Sequence, residues 1–144
     1  MSKGNATEND LVKFIAQATA MPSYGSNLQV NLHTADPGEA GTATTSAAAY
    51  TGYVAVAVAR DNTGWTICNG TDPYAANASG NAFKNAAEIT FPESTSGPEV
   101  ITHASVSVVA TGQILYKGAL TASLTINNLI TPRFPAGTLI MAED

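Results

Sequence analysis

Four stretches of this chain alternate large apolar residues with small or polar ones at a period of two, and that pattern limits the fold more than any other feature. Leu28, Val30 and Leu32 alternate with Gln29 and Asn31 in NLQVNLH, and Val54, Val56 and Val58 share one side of YVAVAVAR. In VITHASVSVVA, Ala104, Val106 and Val108 oppose His103, Ser105 and Ser107, and LTASLTI sets Leu120, Ala122, Leu124 and Ile126 in strict alternation. Successive side chains of a strand point to opposite faces, so each stretch reads as a strand with one buried face. A slip of one residue would turn each set to solvent, so Ala104, Val106, Val108, Leu120, Ala122, Leu124 and Ile126 are expected to face one core.

Turn residues punctuate these runs. Pro37-Gly38 ends the first strand in LHTADPGEAG, because proline removes a donor and glycine readily takes positive φ. TATTSAAAY follows as an ordered but irregular connection. Asp61-Asn62-Thr63-Gly64 separates YVAVAVAR from GWTICN and reads as a hairpin turn. GTDPYAANASGN is a long polar loop, Ile89 to Phe91 a short strand halted by Pro92, and ILYKG and GTLIMA are further strands. The expected architecture is mainly β: an antiparallel β-sandwich of about eight strands with one N-terminal α-helix.

That helix is placed at about residues 8 to 20. Thr7 and Asp10 stand three apart like a capping box, and Leu11, Phe14, Ile15 and Ala18 fall at i, i+3, i+4 and i+7, one apolar stripe. Met21-Pro22 ends it, since proline disfavours helical geometry in the residue before it. Residues 1–22 are therefore expected to form an N-terminal arm and helix, and 23–144 the β-sandwich domain. An isolated helix of about thirteen residues is marginal in water, so the stripe has to bury against something. Leu11, Phe14 and Ile15 are candidate interface residues with another chain.

Candidate chemistry is sparse. His33, Asp36 and Glu39 lie within seven positions, but a catalytic zinc usually takes three protein ligands and the other histidine, His103, is far along the chain. A polar turn, with the Asp36 carboxylate accepting from local amides, is favoured over a metal site. Glu93 and Glu99 sit in a Pro/Gly/Ser loop where solvated carboxylates are the default. Trp65 could stack on a sugar, although an anchor in the core or at a sheet edge is the commoner role. Tyr50 and Tyr53 stand at the entry to a strand, where phenols pack a sheet edge and keep the hydroxyl wet. They are further interface candidates. No nucleophile elbow, P-loop or dinucleotide motif occurs, and neither an enzyme, a cofactor nor a metal is expected.

Charge and composition narrow the partners. Six Lys and Arg stand against eleven Asp and Glu in 144 residues, leaving no basic stripe for a phosphate backbone, so no nucleic acid is expected. No apolar run approaches the roughly 20 residues that cross a bilayer, and MSKGNATENDLVKF lacks the apolar core of a signal peptide, so a soluble chain made in the cytosol is expected. Cys68 is alone and reads as a buried small hydrophobe.

The ordered set LHTADPGEAGTATTSAAAYTGYVAVAVAR, GW, AAEITFPESTSG, ITHASV, ILYKGALTASLTI and ITPRFPAGTL resembles a family of small tailed-bacteriophage virion proteins, some tail-fibre-like and some similar to capsid decoration proteins. The resemblance runs from TENDLVKFIAQATA almost to the C-terminus, although the loop containing TDPYAANASGNAFK is longer than the family pattern. It implies a virion location and no catalytic residues. The leading expectation is a capsid decoration (cement) protein on the major capsid protein shell, as a homotrimer. The alternative is a tail-fibre or baseplate module that contacts a cell-surface receptor.

Overall fold

The computed structural model describes residues 2–68 and 80–142; positions 70–79 of the polar loop lie outside them. The elements in order are β1 (Ser2–Lys3), α1 (Asn5–Gln17), β2 (Asn27–His33), β3 (Val56–Ala59), β4 (Trp65–Cys68), β5 (Ala82–Asn85), β6 (Ile89–Thr90), β7 (Glu99–Val108), β8 (Ile114–Ile126), β9 (Arg133–Phe134) and β10 (Ile140–Ala142). They form three antiparallel sheets, ordered β1-β8-β7-β2-β3, β10-β5-β4 and β6-β9. The protein is mainly β with one N-terminal helix, as its alternating patterns imply.

One hydrophobic core joins the sheets. Val30, Leu32, Ala104 and Val106 of the five-stranded sheet meet Trp65 and Met141 of the three-stranded sheet and Ile89 beside Phe91. The Phe83 ring stands edge-on to Tyr116 at 5.2 Å, and Phe91 to Phe134 at 6.1 Å, so aromatic pairs tie the smaller sheets to this core.

The opposite face of the large sheet is polar yet also buried. Cross-strand partners share a face, and the register Asn31↔Ser105↔Lys117 lays a polar row across β2, β7 and β8. Asn31, Ser105, Ser107, His33 and Lys117 are all buried, so these strands are covered on both sides rather than on one. The covering layer is the connection after β2. Thr34 and Ala48 donate backbone hydrogen bonds to Ser46 and Leu32, and Ala43 donates to Gly112, which folds residues 34–48 back over the sheet.

Three local expectations are corrected. Trp65 and its neighbours do not form a hairpin with YVAVAVAR, because β3 pairs with β2 while β4 pairs with β5 in another sheet. The turn itself is real: the Asp61 carboxylate accepts from the Thr63 amide and hydroxyl. At its end the chain passes so close to the preceding strand that a Cβ on Gly64 would lie 2.0 Å from the Ala59 carbonyl oxygen, and it crosses into the second sheet there. Second, ILYKG and LTASLTI are one element, β8, yet the alternation breaks inside it. The ladder runs from His33-paired His103 opposite Ala119 directly to Ile101 opposite Leu124, so the four residues Leu120 to Ser123 bulge out against the single Thr102. Leu120 and Leu124 are half-buried against the core and Ile126 is fully buried in it, as expected, whereas Ala122 is exposed.

Third, α1 begins three residues earlier than the capping pattern suggests. Its N-cap is Gly4, with no side-chain cap. Thr7 lies inside the first turn, buried, and its hydroxyl donates to the Ile114 carbonyl at 2.8 Å; the Asp10 carboxylate accepts from Gln113. Tertiary bonds to Ile114 and to Gln113, just before β8, have taken the groups that a capping box would use. The helix ends at Gln17, with Ala18 in left-handed geometry and Thr19 donating to Lys13, before Met21-Pro22 is reached.

Candidate functional site

Two regions compete: the His33 neighbourhood and the outer face of α1. The imidazole of His33 is fully buried, Nδ1 lying 2.8 Å from the Thr45 carbonyl and Nε2 2.8 Å from the Ser105 hydroxyl. A carbonyl can only accept, so Nδ1 carries the proton and Nε2 accepts from Ser105. Asn31 donates in turn to Ser105 and, at 2.9 Å, to Ser107. Burial is the main force holding the His33 pKa below its ordinary value, which keeps the ring neutral. Both nitrogens are engaged within the fold.

Asp36 and Glu39 do not join that ring. They converge on Lys117, whose ammonium sits 3.0 Å from Asp36 and 2.9 Å from Glu39. The Asp36 carboxylate also accepts from the Gly38 amide, the turn geometry expected of it, and Glu39 accepts from the Ser2 hydroxyl at 2.6 Å. The Gly38 bond, followed by Lys117, lowers the pKa of Asp36; Ser2 and then Lys117 lower that of Glu39. Burial of Lys117 opposes its charge, but the two carboxylates outweigh it and raise its pKa. This is a clamp that fastens the 34–48 connection over the sheet. Lys117 escaped the sequence reading because its partners are about eighty positions away. Among the described residues, no three His, Cys, Asp or Glu gather as a metal site.

The aromatic and acidic candidates also serve the fold. Tyr50 is buried and donates to the Pro92 carbonyl, while the Tyr53 hydroxyl accepts from the Leu32 amide, so neither phenol is the wet edge group expected. Burial, and then the neighbouring Tyr53, pushes the Tyr50 phenol up to about 12. Glu99, expected in solvent, instead accepts from the Ala49 and Tyr50 amides. Glu93 is exposed and Cys68 is fully buried.

The outer face of α1 is different. Thr7 is the helix's one buried residue, and every position from Leu11 to Gln17 is exposed, Phe14 at 51% and Ile15 at 73%. Near the helix base, Leu11, Met21, Tyr24 and Tyr116 line a shallow cleft. The Tyr116 ring meets Phe83, and Phe83 with Trp65, Ile67 and Leu28 lines a second, larger cleft of about 260 Å³. Among the described residues, the two buried polar side-chain atoms without a hydrogen-bond partner are the Tyr24 hydroxyl and the Trp65 indole nitrogen, one in each cleft's lining. Contiguous apolar area left to water marks an association surface. Phe83 and Arg60, at the second cleft, carried no sequence signal.

A family model described as Podophage GP4 fiber I protein gp80 matches residues 2–142. No curated protein matches the chain.

Proposed function

The chain belongs to the podophage GP4 fiber I protein gp80 family, and from that premise we propose that it is a non-enzymatic structural subunit of a fibre on the phage particle. It is a virion structural protein. The family match along nearly the whole chain carries the fibre reading and favours it over a capsid decoration role. The structure supports it from two directions. The residues that could have suggested chemistry, His33, Asp36 and Glu39, are engaged in a buried polar row and an ion-pair clamp. The large apolar side chains of α1 face outward, as a subunit that meets other virion proteins requires. No helix among the described residues is long and apolar enough to cross a membrane.

Particle composition tests this. Quantitative mass spectrometry of purified virions is expected to find the chain in far fewer copies than the major capsid protein. A copy number close to that of the shell protein would overturn the fibre reading in favour of decoration.

A further inference from the structure

The cleft of about 260 Å³ beside Trp65 combines two chemistries. Leu28, Trp65, the exposed Ile67 and the half-buried Phe83 make an apolar floor. Three consecutive exposed residues, Arg60, Asp61 and Asn62, make a polar rim. Both are held in place by the fold. Phe83 makes T-shaped contacts with Trp65 and Tyr116, each at 5.2 Å. Asp61 Oδ1 accepts from the Thr63 amide and hydroxyl and from the Gly64 amide, which fixes the turn and, among the described residues, leaves Oδ2 open. The Arg60 guanidinium and the Asn62 amide make no side-chain hydrogen bond or ion pair among the described residues. In the lining, the buried Trp65 indole N–H has no acceptor.

We propose that this cleft binds one neutral pyranose ring of a cell-surface polysaccharide. The inference rests on the fibre reading above for the place where such a sugar is met, the surface of a host cell. A pyranose presents an apolar C–H face and an edge of hydroxyls that both donate and accept. The floor suits the face, because Phe83 and Ile67 offer it apolar surface that water now wets. The rim suits the edge: Arg60 only donates, the Asp61 carboxylate only accepts and the Asn62 amide does both. Arg60 and Asp61 balance in charge, so the rim selects neither an anion nor a cation. What it matches is a neutral ligand carrying both kinds of hydrogen-bonding group. Size agrees, since the cleft is smaller than the roughly 300–1,000 Å³ of drug-sized ligand sites and suits a single ring. Trp65 is 7% exposed, so it supports Phe83 from behind and leaves its N–H as a donor for an oxygen of the bound ring.

The test uses the full chain with the methyl glycosides of glucose, galactose, mannose, rhamnose and N-acetylglucosamine, then with immobilised neutral bacterial polysaccharides that contain the ring bound best. At least one glycoside is expected to bind saturably in the millimolar range, ordinary for a single ring in a shallow cleft. The readout is a shift of the one indole N–H resonance, that of Trp65, the single tryptophan. A polysaccharide containing that ring should bind as well. Ile67→Arg should keep the wild-type melting curve, since the side chain is exposed, and weaken binding by about thirtyfold or more by filling the cleft. Arg60→Gln and Asn62→Ala should each weaken it by about three- to tenfold. Val109→Arg, exposed and outside the lining, should leave it unchanged. Glycosides that leave the resonance in place, binding by Ile67→Arg equal to wild type, or tighter binding of the matching uronic acid or amino sugar than of the neutral ring overturns the proposal. Glycosides that bind while every polysaccharide fails would mark a site for a free sugar and overturn its cell-surface part. All of these outcomes leave the fibre reading untouched, because copy number in the particle judges it separately.

Discussion

His33 shows how a residue with the profile of a catalytic or metal-binding group becomes part of a fold. Its ring donates to Thr45 in the covering connection and accepts from Ser105 on the neighbouring strand, so it ties two layers together. Protonation would turn Nε2 from acceptor into donor and take away the acceptor to which the Ser105 hydroxyl donates, at a fully buried ring. The consequence for stability has a definite sign. Burial holds the folded pKa below the ordinary 6.5, so the unfolded chain takes the proton first. The His33 contribution is complete above about 6.5 and is lost as pH falls through that value toward the folded pKa. Melting temperature should therefore drop between pH 7.5 and 5 more steeply in wild type than in His33→Gln. Equal slopes would show that the ring is not held neutral. Asp36 and Glu39 act in a separate, more acidic window: their lowered pKa values give stability that is present above the ordinary values of 3.8 and 4.5 and lost below them.

At the scale of elements, period-two alternation was legible wherever a strand stayed in its ladder. Leu28, Val30 and Leu32 on β2 and Ala104, Val106 and Val108 on β7 are all buried on the core face. It failed where non-local geometry intervened. LTASLTI alternates as strictly as any stretch of the chain, yet Leu120 to Ser123 leave the ladder as a bulge. Nothing in a local pattern reports how many residues the opposing strand supplies. The turn at Asp61 was legible, but not the sheet to which the next strand belongs, since pairing partners are chosen by tertiary contact. Polar Asn31, Ser105 and Ser107 read as a solvent face because nothing in the local pattern shows that the connection after β2 folds back over them. The bulge yields a measurable contrast. Ile126→Ala should cost about 2–5 kcal/mol, as a buried truncation that leaves a cavity. Leu124→Ala, half-buried at the end of the bulge, should cost about 1 kcal/mol, although the alternation alone ranks the two residues equally. Equal losses in urea unfolding would contradict the bulge.

For the whole molecule, the structure divides labour between an interior and one outer element. The interior is doubly covered: an apolar core on one side of the large sheet, a polar row under an ion-pair clamp on the other. α1 is fastened to it over its N-terminal half, through Thr7, the bond from Gln113 to Asp10 and the pairing of Ser2–Lys3 with β8, and from Leu11 onward the helix is exposed. The apolar stripe of Leu11, Phe14 and Ile15 was visible in the sequence; that the chain leaves it uncovered was not, because exposure depends on what packs against it. The cleft around Trp65 was invisible, since its lining comes from residues as far apart as Leu28 and Phe83. A molecule built in this way presents surface for assembly, and its place on the particle is the most direct check. Electron microscopy of virions in which this chain carries a gold-binding tag should place the label on a fibre projecting from the particle. Label distributed over the capsid shell would contradict the account.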